Sequence, residues 1–376
     1  MSTLGVVIIG RNEGERLVTC LQSVHASSLK SVPTVYVDSH STDDSVAAAQ
    51  GLGAAVVVLD AETPFTAARA RNAGAAALFA AHPEITYVQF LDGDTELDPK
   101  WLAHAAEYLD RHATVAVVCG RLRERHPEQS LYNLLGDMEW DGRAGPVLEF
   151  GGIAMIRASI FQKLGGYNAA FIAGEEPDLA ARMRLYTLAT GRLAKIVRLN
   201  HQMALHDLAM RHFSQWWKRS RRSGHALAQL HHAHGRRPLL FYRKQFRSTW
   251  VWAVAVPAVI VLLALLVSVW ALVLLPLAYG ALAMRITRYR LRQGDRLAHA
   301  LPYGVFTTIA KFPQMLGLIT FYRNHRRGRQ TALIEYKGPG SGGGATDAGT
   351  SEGVARPAEG RAPPPANPTS AAGGNR

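Results

Sequence analysis

The stretch VQFLDGDTELDPKWL, residues 88–102, decides the fold. A strand-like run ends in Asp92-Gly93-Asp94, and Asp98-Pro99 then opens a helix. Two carboxylates one residue apart at the exposed end of a buried strand need a reason. The rhythm of the chain around them supplies it. GVVIIG (5–10), TVYVD (34–38), AAVVVLD (54–60), TYVQFLD (86–92) and TVAVVCG (114–120) alternate with helix-like segments at 15–24, 43–52, 66–81 and 99–112. Near-continuous apolar strands separated by helices describe a mostly parallel sheet covered on both faces, an α/β fold of Rossmann-like type. Ligands in such sheets bind beyond the carboxyl ends of the strands, where Asp92 and Asp94 stand.

Other strand ends point to the same place. Strand one runs into Arg11, Asn12 and Glu13, strand two ends on Asp38, and ARARNAG (68–74) adds Arg71 and Asn72. Asp-Gly-Asp offers oxygen ligands to a hard divalent cation that also holds phosphate, although Asp-Gly is equally an ordinary turn. Helix capping accounts for Thr42 or Asp43 but not for Asp38, and an arginine at position 71 can pair with a diphosphate. In GEEPDL (174–179), Pro177 at a first helical position lets Glu175, Glu176 and Asp178 complement a helix N-terminus. His206 follows a strand-like segment, and His231, His232 and His234 lie in a basic stretch.

Lysine and arginine number 42 against 29 acidic residues, a formal charge of +13. No Asp or Glu occurs from 208 to 294, and basic clusters flank an uncharged apolar run at 250–284. That layout describes a membrane anchor and argues against nucleic acid, which favours basic residues interleaved with exposed aromatics. As one helix the run would reach about 52 Å, beyond a hydrocarbon core of roughly 30 Å, so a hairpin breaking near Ser268 is expected, with both basic flanks on one side. The segment 301–322 carries Lys311 and two prolines and is expected to lie in the interface. From 338 onward the chain is poor in large apolar residues and is expected to be disordered. Two cysteines, Cys20 and Cys119, make no disulfide framework, and no signal peptide is evident at the start, so the first domain is expected in the cytoplasm.

As an ordered set, VVIIGRNE, VDSHSTDDS, ARN-G, FLDGDTELDPKWL, FGGIAMIRASIFQKLGGYN and GEEPDLAARMR resemble the family 2 glycosyltransferases of GT-A fold, over roughly 4–224. The resemblance implies a nucleoside contact at Asp38; from their places at the strand ends, Glu13 and Arg11 are expected beside it, and Arg71 against the diphosphate. It also implies Mn2+ or Mg2+ on Asp92 and Asp94, with His206 as a third ligand by position. The acidic pair, usually Glu-Asp in the family, is Glu175-Glu176 here, which puts the general base on Glu176. Gln215, Trp216, Trp217 and Arg219 do not keep the Q-x-x-R-W spacing, which favours single addition over processive synthesis.

The expected organisation is therefore a catalytic domain over 1–225, a basic juxtamembrane segment over 226–247 and a transmembrane hairpin over 248–285. An interfacial or third membrane helix over 296–330 and a disordered tail over 338–376 complete it. The expected activity is inverting transfer from a nucleotide-diphosphate sugar, uridine before guanosine, to a membrane-associated acceptor: a polyprenyl-linked glycan, a glycolipid or polyprenyl phosphate. The expected location is the inner, cytoplasmic membrane, multi-pass, in contact with membrane lipids. A nucleotidyltransferase would open with a glycine-rich phosphate loop, which GRNEGERL is not. A non-catalytic scaffold would be marked by loss of Asp92, Asp94 or Glu176, and all three are present.

Overall fold

The computed structural model describes residues 3–329 and 331; the expected tail at 338–376 lies outside them. The chain opens with β1 (Leu4–Gly10), α1 (Glu15–His25), β2 (Thr34–Asp38), α2 (Ser45–Gly51), β3 (Ala55–Val58) and α3 (Ala67–Ala81). Then come β4 (Tyr87–Asp92), β5 (Thr95–Leu97), α4 (Trp101–Arg111), β6 (Val115–Glu124), α5 (Leu131–Trp140), β7 (Gly145–Pro146), β8 (Ala154–Arg157) and α6 (Ala158–Lys163). The domain is completed by α7 (Glu175–Thr190) and β9 (Lys195–His206).

These strands form one sheet in the order β3-β2-β1-β4-β8-β6-β9-β5, with β7 also paired to β9. β1 to β4 are mutually parallel, and β6 and β9 keep their direction, so the mostly parallel expectation holds. The departures are β8, which wedges antiparallel between β4 and β6, and the short β5 and β7, which pair antiparallel with β9. AMIR is short and follows a Gly-Gly loop, so periodicity does not reveal it.

The core shows why the opening stretch is so apolar. Val88, Phe90 and Leu91 are fully buried, as are Val6, Val7 and Ile8 beside them. Each such side chain contributes about 1.5–3 kcal/mol by leaving water. Gln89 is the polar exception, and it is satisfied: Trp101 Nε1 donates to its Oε1 at 2.8 Å, and its Nε2 donates to the Phe90 carbonyl. The helix expected from Asp98-Pro99 begins two residues later, at Trp101, whose ring is wholly buried.

The remaining described elements are helical: α8 (Phe213–His234), α9 (Arg243–Trp250), α10 (Val256–Leu266), α11 (Leu274–Arg292), α12 (Leu297–Ile309) and α13 (Lys311–Arg326). A π-helical turn at Val251–Ala255 joins α9 to α10, and a 3-10 turn at Val269–Val273 leads into α11. Two continuous helices result, Arg243–Leu266 and Val269–Arg292, long and apolar enough to cross a membrane. The break falls at Ser268, whose hydroxyl accepts from Trp270 N. Both helices extend past the 248–285 limits into the basic flanks, because nothing in those flanks stops a helix. The interfacial segment is two helices, not one. The buried face of α13 packs on α8, where a Cβ on Gly224 would fall 2.0 Å from the Gln314 carbonyl oxygen, while Leu316 and Ile319 face outward.

Candidate active site

A cavity of about 640 Å3 opens at the carboxyl ends of β1, β2 and β4. It is lined by Arg11, Asn12, Glu13, Ser39, Phe65, Arg71, Asp92, Asp94, Glu175, Glu176 and His206, with Gly152 and Arg222. Parallel register puts these ends level, Ile9 beside Asp92 and Gly10 beside Asp38.

Asp94 and His206 are far apart in sequence, and strand pairing brings them together. β5 runs antiparallel to β9 with Thr95 opposite His206, and Asp207 N donates to the Asp94 carbonyl at 3.0 Å. His206 Nε2 then lies 3.3 Å from Asp94 Oδ1, with the Trp140 ring set edge-on against the imidazole. Asp92, Asp94 and His206 each offer one ligand atom, all within 4.8 Å of one another. The two carboxylates suit Mn2+ or Mg2+, and the imidazole beside them favours Mn2+ of the two. His206 Nδ1 is buried and has no hydrogen-bond partner among the described residues, so the ring has coordinating capacity in reserve.

Arg71 is the hub of the opposite wall. α3 starts at Thr66, whose hydroxyl accepts from Arg69 N, and this places the Arg71 guanidinium under the cavity floor. Its Nη1 donates to Glu175 at 2.7 Å and Glu176 at 2.9 Å, and its Nη2 to Asp92 at 2.8 Å. Burial opposes the arginine charge, yet Asp92, Glu176 and Glu175 outweigh it and hold the guanidinium protonated well above the usual range. The partners of Arg71 are thus carboxylates where a diphosphate was expected. Its Nε is buried and has no hydrogen-bond partner among the described residues.

Glu175 and Glu176 open α7. Gly174 precedes them at φ 86°, a left-handed turn that favours glycine, and tips both carboxylates toward Arg71. Burial first, then the charge of Glu175, pushes the Glu176 carboxyl up to about 7, against the pull of Arg71. Asp178 has structural work: it accepts from Arg182 Nε at 2.8 Å and meets His234 Nε2 at 2.8 Å. His231 stacks on Phe246 and His232 lies against His325, so these three histidines converge on no common point.

Asp38 is brought to the rim but not into the lining. It is buried, and its carboxylate accepts from Tyr36 at 3.0 Å and from Ser41 N at 2.8 Å. Ser39, partly buried, represents that loop in the cavity lining. Glu13 pairs with Arg16 at 2.8 Å, and Arg11 lies over the Phe65 ring at 5.5 Å.

Gly152 and Arg222 carry roles that sequence reasoning did not assign. A Cβ on Gly152 would stand 2.3 Å from Arg71 Nη2 and close to Asp92 and Glu176, so the absence of a side chain there makes room for the carboxylate cluster. The FGG of the sequence carries that signal. Arg222 comes from the basic run and donates to the Ile172 carbonyl, and no local pattern separates it from its neighbours. Asn72 clamps the Gly-Gly-Tyr loop, donating to the Tyr167 carbonyl at 2.7 Å and accepting from Tyr167 N at 2.8 Å.

The sheet and its cleft have the architecture of the GT-A type of α/β fold. Residues 5–165 match the family described as Glycosyl transferase family 2. Glu175, Glu176 and His206 lie beyond the matched residues. Among solved structures, the mannosyltransferase PcManGT from Pyrobaculum calidifontis, in complex with GDP-Man and Mn2+, is 18% identical with a TM-score of 0.53, covering 85% of this chain and 86% of that one. TarS of S. aureus is 14% identical with a TM-score of 0.42, over 62% of this chain and 43% of that one, so this chain spans less than half of that TarS. TarS 1-349 in complex with UDP-GlcNAc is 15% identical, TM-score 0.45, over 87% and 92%. The mannosyltransferase speaks for the fold, and the two TarS likenesses carry no argument. No curated protein matches the sequence significantly.

Proposed function

We propose that the protein transfers a sugar, with inversion, from a nucleotide-diphosphate sugar to a hydroxyl of a membrane-associated glycan or lipid. The observation that carries this is the division of the cavity. Asp92, Asp94 and His206 gather on one side, and Glu176, held near neutrality, stands across Arg71 on the other. The donor nucleotide occupies the strand ends, its base near Ser39, Asp38 and Glu13, with Arg11 alongside. A uridine nucleotide is the first to test and a guanosine nucleotide the second.

Asp92, Asp94 and His206 would hold Mn2+ or Mg2+, which when bound neutralises charge on the leaving diphosphate. Glu176 takes the proton of the acceptor hydroxyl. The hydroxyl oxygen bonds to the anomeric carbon, and the bond from that carbon to the diphosphate breaks with its electron pair leaving on phosphate oxygen. Arg71 orients Glu176 and Asp92 and lends its positive charge to the diphosphate. A phosphate acceptor is already ionised and needs no base, so the raised Glu176 supports a hydroxyl acceptor. The hairpin of Arg243–Leu266 and Val269–Arg292 supports placement at a membrane with the sheet domain on its basic, cytoplasmic side.

The test is calorimetric binding of UDP, GDP and dTDP to the detergent-solubilised full chain, with Mn2+ or with chelator. Wild type is expected to bind one of them only with metal, and Asp94→Ala to lose that binding. Absence of binding by all three sinks the donor assignment.

A further inference from the structure

The two sides of α11 have opposite fates. Its inner side, with Leu282, Thr287 and Arg290, is buried in the protein, and Arg290 is consumed there by Asp295 at 2.6 Å and by the Tyr303 ring at 4.8 Å. Its outer side is exposed and changes character along the axis. Leu277 and Ala281 are apolar, and Arg285, Arg288 and Arg292 follow at the same three- and four-residue spacing, so all five share one face. None of these three arginines has an ion-pair partner among the described residues. They border a shallow cavity of about 560 Å3 shared with Ile286 and Tyr289.

The depth of the stripe is set by chain geometry. From Arg247 to the hairpin turn at Val267, α-helical rise gives about 30 Å, and from Val269 down to Arg285 roughly 27 Å, both close to one hydrocarbon thickness. Exposed Arg243, Lys244 and Arg247 on one arm therefore stand level with Arg285 on the other. With the hairpin across a bilayer, both arms would reach the phosphate layer, and the acyl region would hold the apolar surface above them.

Resting on the membrane placement proposed above, we propose that the Arg285, Arg288 and Arg292 face of α11 is a docking site for anionic phospholipid headgroups. Guanidinium forks match phosphate oxygens in pairs, and Tyr289 is a side chain suited to the headgroup level. A zwitterionic headgroup cancels its own phosphate charge. With no acidic residue from 208 to 294, this face has nothing of its own to neutralise it, and net-anionic lipid is the complementary partner. Leu277 and Ala281, directly above on the same face, suit an acyl chain and not a nucleic acid.

The experiment is native mass spectrometry of the full chain released from detergent, titrated with dioleoylphosphatidylglycerol or dioleoylphosphatidylcholine. Wild type should bind the anionic lipid in preference. R285Q/R288Q/R292Q should lose roughly a hundredfold of that affinity, at about fivefold per arginine. The control K100Q/R192Q/K195Q, with the same charge change on the sheet domain, should lose none. Equal binding of both lipids by wild type, or undiminished selectivity in the α11 variant, overturns the proposal. Alkaline carbonate extraction separates the two levels of failure. Release of wild type from membranes overturns the membrane placement and this site with it, whereas retention with unchanged selectivity in the variant removes the site alone.

Discussion

The sheet domain and the helical hairpin are both rich in branched aliphatic residues, and they use them in opposite directions. In β1 and β4 nearly every side chain is buried. In the hairpin, Leu265 is 78% exposed, Val267 76% and Trp270 79%. Apolar runs of similar composition thus mean two things, and the difference lies in what surrounds them. Strands of four to seven residues broken by polar turns can be covered by helices of the same chain. Two helices of 24 residues each have no such cover among the described residues, and they are long and apolar enough to cross a membrane.

The largest effect is expected where the sheet domain does its chemistry. Glu176→Gln should lower transfer by about 10²–10⁴-fold while leaving nucleotide binding intact, measured by turnover and calorimetry on the same preparation. Wild-type turnover should rise with pH through about 7, because a carboxyl held up there is protonated, and useless as a base, below it. The variant should lack that rise. The sign for stability is the reverse: a folded-state value raised from 4.5 favours the folded domain in acid, and that contribution is lost as pH climbs toward 7.

Next in size is Val259→Lys, on the outward face of the first hairpin helix, where Val259 is 55% exposed. In water such a change would be nearly neutral; mid-bilayer it should cost about 3 kcal/mol. Reduced retention in the membrane fraction, with the thermal midpoint of the sheet domain unmoved, would sharpen the contrast between the two regions. Full retention would break it.

The smallest is Thr66→Ala. It removes the hydroxyl that caps α3 and should cost the sheet domain about 1 kcal/mol, seen as a midpoint lower by about 2–4 °C. No change would mean that the first turn of α3 is held by packing alone.

Much of this was legible because it is local. Strand runs, Asp-Gly-Asp and the helix starts are contiguous, and their periods survive in the fold. β8 was illegible because a four-residue antiparallel wedge leaves no period of its own. The cluster around Arg71 was half legible. Its members were named from strand ends and helix starts, but their mutual pairing depends on Gly152, whose only signature is a missing side chain. Asp38 was placed at the right strand end, while its engagement by Tyr36 and Ser41 depends on the turn that follows, which no spacing encodes. Arg222 was hidden among the nine other lysines and arginines between 208 and 250 because direction, not identity, sets it apart.

Arg71 and Glu175 stand 104 residues apart in the chain. At a synthesis rate of about 10 residues per second, the arginine leaves the ribosome roughly 10 s before the carboxylates of α7 that it will hold. Of the three carboxylates that Arg71 pairs with, only Asp92 precedes α7 in the chain. Completion of the cleft is therefore a late event in biogenesis, and it is followed within seconds by emergence of the hairpin.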